Sequence, residues 1–312
     1  MDKITVLGSI NMDLSICSDT FPKIGETIQG YDFYAQTGGK GANQAITIGK
    51  LGGNVSFLGC LGDDANGKNL SDTLSAHNVD ISRTEVIRGE SSGIAMILIC
   101  SADNRIVTCS GANRFVTNEF VKNHADAICG SKILLSQLEV PDTAVKAAFE
   151  TAKEHGVTTI LNPAPILPLA KDFLALTDAI ILNQTEAAFL TGRSIDNIAD
   201  ARQGIFSLLD MGVRQAVITL GNLGCIFSDE DKEVIHRPAR NVTAVDTTGA
   251  GDSFCGAFAY ALANNYCTKD AIELATIVSS LTVTKRGTSG SLPTKSEVNK
   301  IIQKEGLSYE LS

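Results

Sequence analysis

The sequence predicts an α/β fold in which a central, mostly parallel sheet is flanked by helices and a small β-sheet lid covers one end. Three observations predict it. Short apolar runs alternate with longer amphipathic stretches along the chain. The short runs lack the polar alternation of half-buried strands, as strands covered on both faces must. Two further segments carry the extended, turn-punctuated pattern of hairpins instead.

The strand-like runs are residues 4–8, 55–58, 132–135, 157–161, 179–182 and 216–219. Helical stretches accompany them at 42–51, 67–76, 143–155, 198–209, 250–262 and 271–283. That order gives βαβ units, whose crossovers build a parallel sheet between helix layers. With 312 residues, 44% of them hydrophobic, and no repeat or long linker, a single domain spanning residues 1–312 is expected. The lid segments, about 13–35 and 90–113, are rich in Ile, Val, Thr and Tyr, with turn signals at Pro22, Gly25 and Ala102-Asp103-Asn104. A plain peripheral hairpin matches the same pattern.

Charge and composition narrow the function. A formal net charge of −9 argues against a nucleic-acid surface, which needs a basic stripe to neutralise phosphates. The N-terminal apolar stretch reaches glycine too soon for a signal peptide, and no run is long enough to cross a bilayer, so a cytoplasmic location without a membrane partner is expected. Eight cysteines are scattered singly with no C-x-x-C pair. They are expected to be reduced thiols, most of them buried as small hydrophobes.

The strongest motif is Asp246-Thr247-Thr248-Gly249-Ala250-Gly251-Asp252, which joins an extended segment, residues 242–245, to an apolar helix beginning near Ala250. Two glycines let the backbone take unusual dihedrals and approach a ligand closely. The first amides of a helix have no internal partner and carry the positive end of its dipole, which makes a phosphate hole. A carboxylate facing that hole, at Asp252, suits a base for an incoming hydroxyl. Helix capping alone explains a single Asp in a first turn, but accounts poorly for the whole run. The run, continued by Ser253-Phe254-Cys255-Gly256-Ala257-Phe258, resembles the C-terminal signature of the ribokinase, or phosphofructokinase-B type, family of carbohydrate kinases. In that family the last Asp is the catalytic base and the glycine turn forms the anion hole. The resemblance carries these roles to Asp252 and to Gly249, Ala250 and Gly251, and implies a ribokinase-like fold.

Two N-terminal segments address the acceptor. In Gly8-Ser9-Ile10-Asn11-Met12-Asp13-Leu14 an extended chain points Asn11 and Asp13 to one side and Ile10, Met12 and Leu14 to the other. An amide and a carboxylate two residues apart suit a vicinal diol, although a half-exposed strand with a wet face reads the same. Gly38-Gly39-Lys40-Gly41-Ala42-Asn43-Gln44-Ala45 is a glycine-rich turn opening a helix. Together these segments resemble the N-terminal signature of the ribose-specific members of the family. By that likeness Asn11, Asp13, Gly39, Lys40, Gly41, Ala42 and Asn43 contact a sugar, as does Glu139 in Gln137-Leu138-Glu139, which would otherwise read as a solvated loop carboxylate. The likeness extends to Phe21-Pro22-Lys23-Ile24-Gly25-Glu26-Thr27 in the lid.

The nucleotide end is carried by the second half of the chain. Asn183-Gln184-Thr185-Glu186 resembles the family's Asn-x-x-Glu element, which organises Mg²⁺ and the ATP phosphates; a helix capping box has the same spacing. Thr219-Leu220-Gly221-Asn222-Leu223-Gly224 resembles the family's nucleotide loop, and in isolation reads as a hairpin turn. Thr276 stands near the adenine position, where the family has Asn or His. A rival, Gly62-Asp63-Asp64-Ala65-Asn66-Gly67-Lys68-Asn69, nearly spells a Walker A loop. Its acidic pair and Asn69 make a capped helix start the better account. No G-x-G-x-x-G fingerprint is present, which lowers a dehydrogenase reading.

The resemblance also implies activation by K⁺, through Asp246, Thr248, Thr282, Lys285, Gly287 and Ser291. A Gly/Ser turn before a capped helix at Thr294-Lys295-Ser296-Glu297 accommodates the same residues. The expected activity is transfer of phosphate from MgATP to D-ribose, in a homodimer formed through the lid. Deoxyribose, another sugar or a nucleoside as acceptor, and a sugar-sensing protein without catalysis, are the alternatives.

Overall fold

The computed structural model describes residues 2–100, 103–307 and 311. The chain starts with β1 (Ile4–Leu7), then β2 (Asn11–Ser18), β3 (Tyr31–Gly38) and α1 (Lys40–Lys50). Next come β4 (Val55–Leu58), β5 (Cys60–Gly62), α2 (Ala65–Ala76), β6 (Val79–Asp80), β7 (Glu85–Ile87), β8 (Gly93–Cys100) and β9 (Asp103–Cys109). Two short helices, α3 (Asn118–Asn123) and α4 (Ala125–Cys129), lead to β10 (Ile133–Gln137), α5 (Asp142–Glu154), β11 (Thr158–Asn162) and α6 (Lys171–Leu174). The second half holds β12 (Ala179–Asn183), α7 (Gln184–Thr191), α8 (Ile198–Asp210), β13 (Gln215–Thr219), β14 (Cys225–Ser228) and β15 (Val234–Arg237). Helices α9 (Ala250–Ala263), α10 (Thr268–Thr282) and α11 (Lys295–Glu305) complete it.

All six expected strands and all six expected helices form. The main sheet runs β15-β14-β13-β12-β11-β10-β1-β4-β6, and only the β13–β14 and β14–β15 pairs are antiparallel. Its central strands are mostly apolar because both faces are covered. Ile133 and Leu135 join the core under α1, α9 and α10, while Leu134 between them joins the core under α5 and α8. The chain leaves β1 toward β4 and β6, then returns to β10 on the other flank. Parallel sheets bind ligands at such a reversal, outside the carboxyl ends of the strands. Residues 9–11 follow β1 and Glu139 follows β10, so both lie there.

The two segments expected to form a small sheet do so, in the order β3-β2-β8-β9. Each is an antiparallel pair, and β2 joins β8 in parallel. Of the turn signals, Ala102 lies outside the described residues. Strand β2 alternates as read from the sequence: Ile10 and Met12 enter the core, whereas Asn11 and Asp13 share the opposite side. The near-Walker segment is a capped helix start, with Asp64 Oδ1 accepting from the Gly67 amide at 2.7 Å. Residues 242–245 belong to no strand. Every cysteine among the described residues is free, yet only Cys60, Cys225 and Cys255 are buried, which corrects the expectation for most of them. Cys17, Cys100 and Cys109 sit on the thin small sheet, which has no second layer to cover both of its faces.

Helices α1 and α9 cross with almost no gap. A Cβ built on Gly256 stands 2.7 Å from the Gln44 carbonyl oxygen and 2.9 Å from Thr47 Cβ. Gly256→Val should therefore push the helices apart and destabilise the fold by about 1–3 kcal/mol, read as a lowered Tm. An unchanged Tm would show that the contact yields freely.

Candidate functional site

The N-termini of α1 and α9 meet above the carboxyl edge of the sheet, and they differ. Helix α1 starts at Gly39, whose φ of 87° places it in the glycine-favoured region and leaves no side chain to cap the helix. Its amides are satisfied from elsewhere. Glu139 Oε2 accepts from the Lys40 amide at 3.0 Å, Ser9 Oγ from Gly41 at 3.4 Å, and the Ser9 carbonyl from Ala42 at 2.9 Å. Helix α9 starts at Gly249, φ 78°, again without a side-chain cap. There the Ala250 amide reaches the Thr247 carbonyl at 3.2 Å, but among the described residues no protein acceptor meets the amides of Gly251 and Asp252. A Cβ on Gly251 would find open space. One helix end is closed by protein and the other is left for a ligand.

That open end borders a cavity of about 300 Å³ lined by Lys40, Asn183, Glu186, Gly249, Gly251 and Asp252, among others. Asp252 is 8% exposed and does not cap its helix. Its Oδ2 accepts instead from Asn43 Nδ2 at 2.9 Å. Burial pushes its carboxyl above the usual carboxylate range, while the Lys40 ammonium pulls the other way. The same carboxylate raises Lys40, despite the burial of that ammonium. Asn43 Oδ1 is buried with no protein partner among the described residues, which leaves an acceptor beside Asp252. Burial also raises Glu186.

Next to it, a groove of about 580 Å³ is lined by Gly221, Asn222, Gly224, Ala250 and Thr276, and shares Thr219, Thr247 and Gly251 with the first cavity. Residues 220–224 are the turn of the β13–β14 hairpin and Thr219 ends β13, so the hairpin reading and the groove coexist. Leu220 points into the core and Leu223 is not among the groove's lining residues. Thr276 lines the groove but spends its hydroxyl proton on the Ile272 carbonyl at 2.7 Å. Asn183 and Glu186 form a complete capping box on α7, and both still line the 300 Å³ cavity.

Asn11, Asp13 and Glu139 line neither of these two cavities, and the charges of Glu139 and Asp252 both reach Asp13. Glu139 is half-buried and accepts from Ser9 Oγ at 2.5 Å as well as from Lys40. Asp13 is pushed up to about 7, first by burial and then by the charges of Glu139 and Asp252. Gly38 is dictated here, since a Cβ on it would stand 2.0 Å from Asp13 Oδ2. Ala42 points into the core, so only its backbone faces the site.

The proposed cation loops abut. Asp246 Oδ1 accepts from the Thr248 amide and Oδ2 from the Gly287 amide, each at 2.9 Å. Thr282 Oγ1 donates to Ser253 Oγ at 3.0 Å, Ser291 Oγ donates to the Thr288 carbonyl at 2.7 Å, and Lys285 pairs with Glu297 at 2.6 Å.

Sequence reasoning missed a set of buried amides. Gln137 Nε2 donates to Gln44 Oε1 at 2.5 Å, Gln44 Nε2 to Asn162 Oδ1 at 3.3 Å, and Asn162 Nδ2 to the Ile181 carbonyl at 3.0 Å. They tie α1 to the ends of three strands beneath Asp252. Asn113, which holds Asn11, was missed as well.

The buried Asp13 carboxyl has a stability signature. Folding raises its pKa, so its stabilising contribution is full below about pH 4 and is lost as pH rises through about 7. Asp13→Asn should therefore gain stability relative to wild type with rising pH, by on the order of 1 kcal/mol per pH unit between pH 5 and 7. A Tm difference that does not vary with pH would remove the buried-carboxylate account.

A sequence profile described as pfkB family carbohydrate kinase matches residues 1–295. A curated ribokinase from Schizosaccharomyces pombe is 39% identical over 312 residues, covering 96% of this chain and 97% of its own. A deoxyribokinase from Salmonella typhi is 35% identical over 301 residues, covering 96% and 98%. The structure of Arabidopsis thaliana ribokinase complexed with ribose and ATP superposes with a TM-score of 0.91 at 30% identity, covering 97% of this chain and 99% of that one. The chain belongs to the pfkB family of carbohydrate kinases.

Proposed function

We propose that this chain catalyses phosphorylation of D-ribose by ATP at O5, giving D-ribose 5-phosphate and ADP. The observation that carries it is the open α9 N-terminus with Asp252 buried beside it. Asp252 takes the proton of the ribose 5-hydroxyl while that oxygen bonds to the γ-phosphorus and the bond to the ADP oxygen breaks. The amides of Gly251 and Asp252, with the glycine turn from Gly249, face the charge on the migrating group. A carboxyl raised by burial is a stronger base than one in water, which suits this role.

Asn11, Asp13, Asn43 and Glu139, with the Gly39–Ala42 backbone and Lys40, hold the sugar. A relative in sequence and a solved structure of the same fold bear the name ribokinase, and the solved one holds ribose and ATP. The 580 Å³ groove with Thr276 takes the adenosine part, and the phosphates pass Gly251 into the smaller cavity. Mg²⁺ accompanying ATP suits the oxygen donors of Asn183 and Glu186 there and would offset phosphate charge. K⁺ suits the junction of the 246–248 and 282–291 loops, where Asp246 supplies a carboxylate and the backbone supplies carbonyls. A homodimer through the small sheet is supported by its exposed apolar side chains, among them Phe33, Met96 and Val107. The free thiols support a reducing, cytoplasmic setting, and no helix among the described residues is long and apolar enough to cross a membrane.

Asp252→Asn should lower kcat by about 10²–10⁴ while circular dichroism stays unchanged; near-normal turnover would defeat the base assignment. Ribose-dependent ADP release should rise when tetramethylammonium is replaced by K⁺, and equal rates would remove the cation role. The deoxyribokinase relative keeps 2-deoxyribose as a second reading. Comparable kcat/KM for ribose and 2-deoxyribose would favour it, because a site built around a hydroxyl discriminates against its absence.

A further inference from the structure

Asn113 is 1% exposed and lies 102 residues from Asn11 in sequence, yet it controls which way that side chain faces. The Ile10 amide has to donate, and it reaches Asn113 Oδ1 at 3.0 Å. That bond fixes the Asn113 amide, because the remaining nitrogen then donates to the Ile10 carbonyl at 3.1 Å and to Asn11 Oδ1 at 2.8 Å. Asn11 must therefore present Oδ1 inward and Nδ2 outward. Among the described residues no protein acceptor meets Asn11 Nδ2. Glycine at position 93 leaves room for the contact, since a Cβ there would stand 2.1 Å from Asn11 Oδ1 and 2.3 Å from Asn113 Nδ2.

We propose that Asn113 is a positioning residue for acceptor choice: by holding Asn11 with Nδ2 outward, it sets a donor beside the Asp13 acceptor and so selects a vicinal diol over its 2-deoxy analogue. Asp13, two residues along the strand on the same side, accepts hydrogen bonds from hydroxyls. A hydroxyl that gives its proton to Asp13 still has lone pairs to be met, and Nδ2 of Asn11 meets them. With the amide reversed, two acceptors would face the same diol and one hydroxyl oxygen would go without a donor. An acceptor lacking the 2-hydroxyl gains nothing from the arrangement and buries the Asn11 donor unpaired. The proposal rests on the sugar reading of Asn11 and Asp13 given above.

The test compares kcat/KM for ribose and 2-deoxyribose at saturating MgATP in wild type, Asn11→Ala, Asn113→Asp and Asn113→Leu. The ratio of the two constants within one preparation does not depend on the fraction of active enzyme, so partial misfolding does not distort it. Asn113→Asp keeps the volume and the acceptor for the Ile10 amide, and replaces the donor that pins Asn11. Both Asn113 variants should reduce the ribose-to-deoxyribose ratio by about tenfold or more, mainly through a raised KM for ribose. If Asn11→Ala lowers the ratio and soluble Asn113→Asp leaves it at the wild-type value, the positioning role is overturned and the sugar reading stands. If Asn11→Ala itself leaves the ratio unchanged, the sugar reading fails and takes the proposal with it.

Discussion

The site depends on two helix N-termini being brought together at the reversal point of a parallel sheet, and on only one of them being sealed. Gly256 permits the close crossing of α1 and α9, and the Asn43–Asp252 hydrogen bond joins them at the top. Glu139 and Ser9 satisfy α1 from outside, which anchors the 39–43 backbone. With α1 closed, the unfilled amides of α9 become the natural resting place for an anion. A carboxylate that leaves capping duty and is buried next to those amides makes sense only if something mobile comes between them.

Electrostatics sharpens the point. Asp13, Glu139 and Asp252 crowd around Lys40, and burial raises Asp13 and Asp252. Such a cluster costs stability in the empty protein, as active sites commonly do. Asp246 is the contrast. Both of its oxygens accept from backbone amides, so it braces two loops.

Much of this was legible in the sequence for identifiable reasons. Strands covered on both faces leave apolar runs, so 4–8, 132–135 and 179–182 stood out, and strands form at each. The antiparallel edge pair β14–β15 and the two-stranded β5–β7 sheet did not stand out, because Ser228, His236, Arg237, Gly62 and Glu85 cut into runs that are already short. Within the site, glycine spacing betrayed 246–252. The buried amides Asn113, Gln44, Gln137 and Asn162 were invisible, since an asparagine or glutamine reads alike whether solvated or locked inside a core. Cysteine burial was misjudged for the opposite reason: a small hydrophobe was assumed to seek the interior, and the thin second sheet offers none.

The path of β2 and β3 carries a consequence for how this scaffold diversifies. Asn11 and Asp13 sit on one strand of the small sheet, and its partner strand runs directly through Gly38 into the α1 turn. Two of the proposed acceptor ligands and one strand pair of the small sheet are thus one contiguous stretch of about thirty residues. A cassette exchange of 11–40 between relatives would move chemical preference and access as a single heritable unit. Outside that cassette the distant Asn113, strand β8, Glu139 and Thr288 all bond to it, so compatibility at each of these contacts governs the recombining of such enzymes.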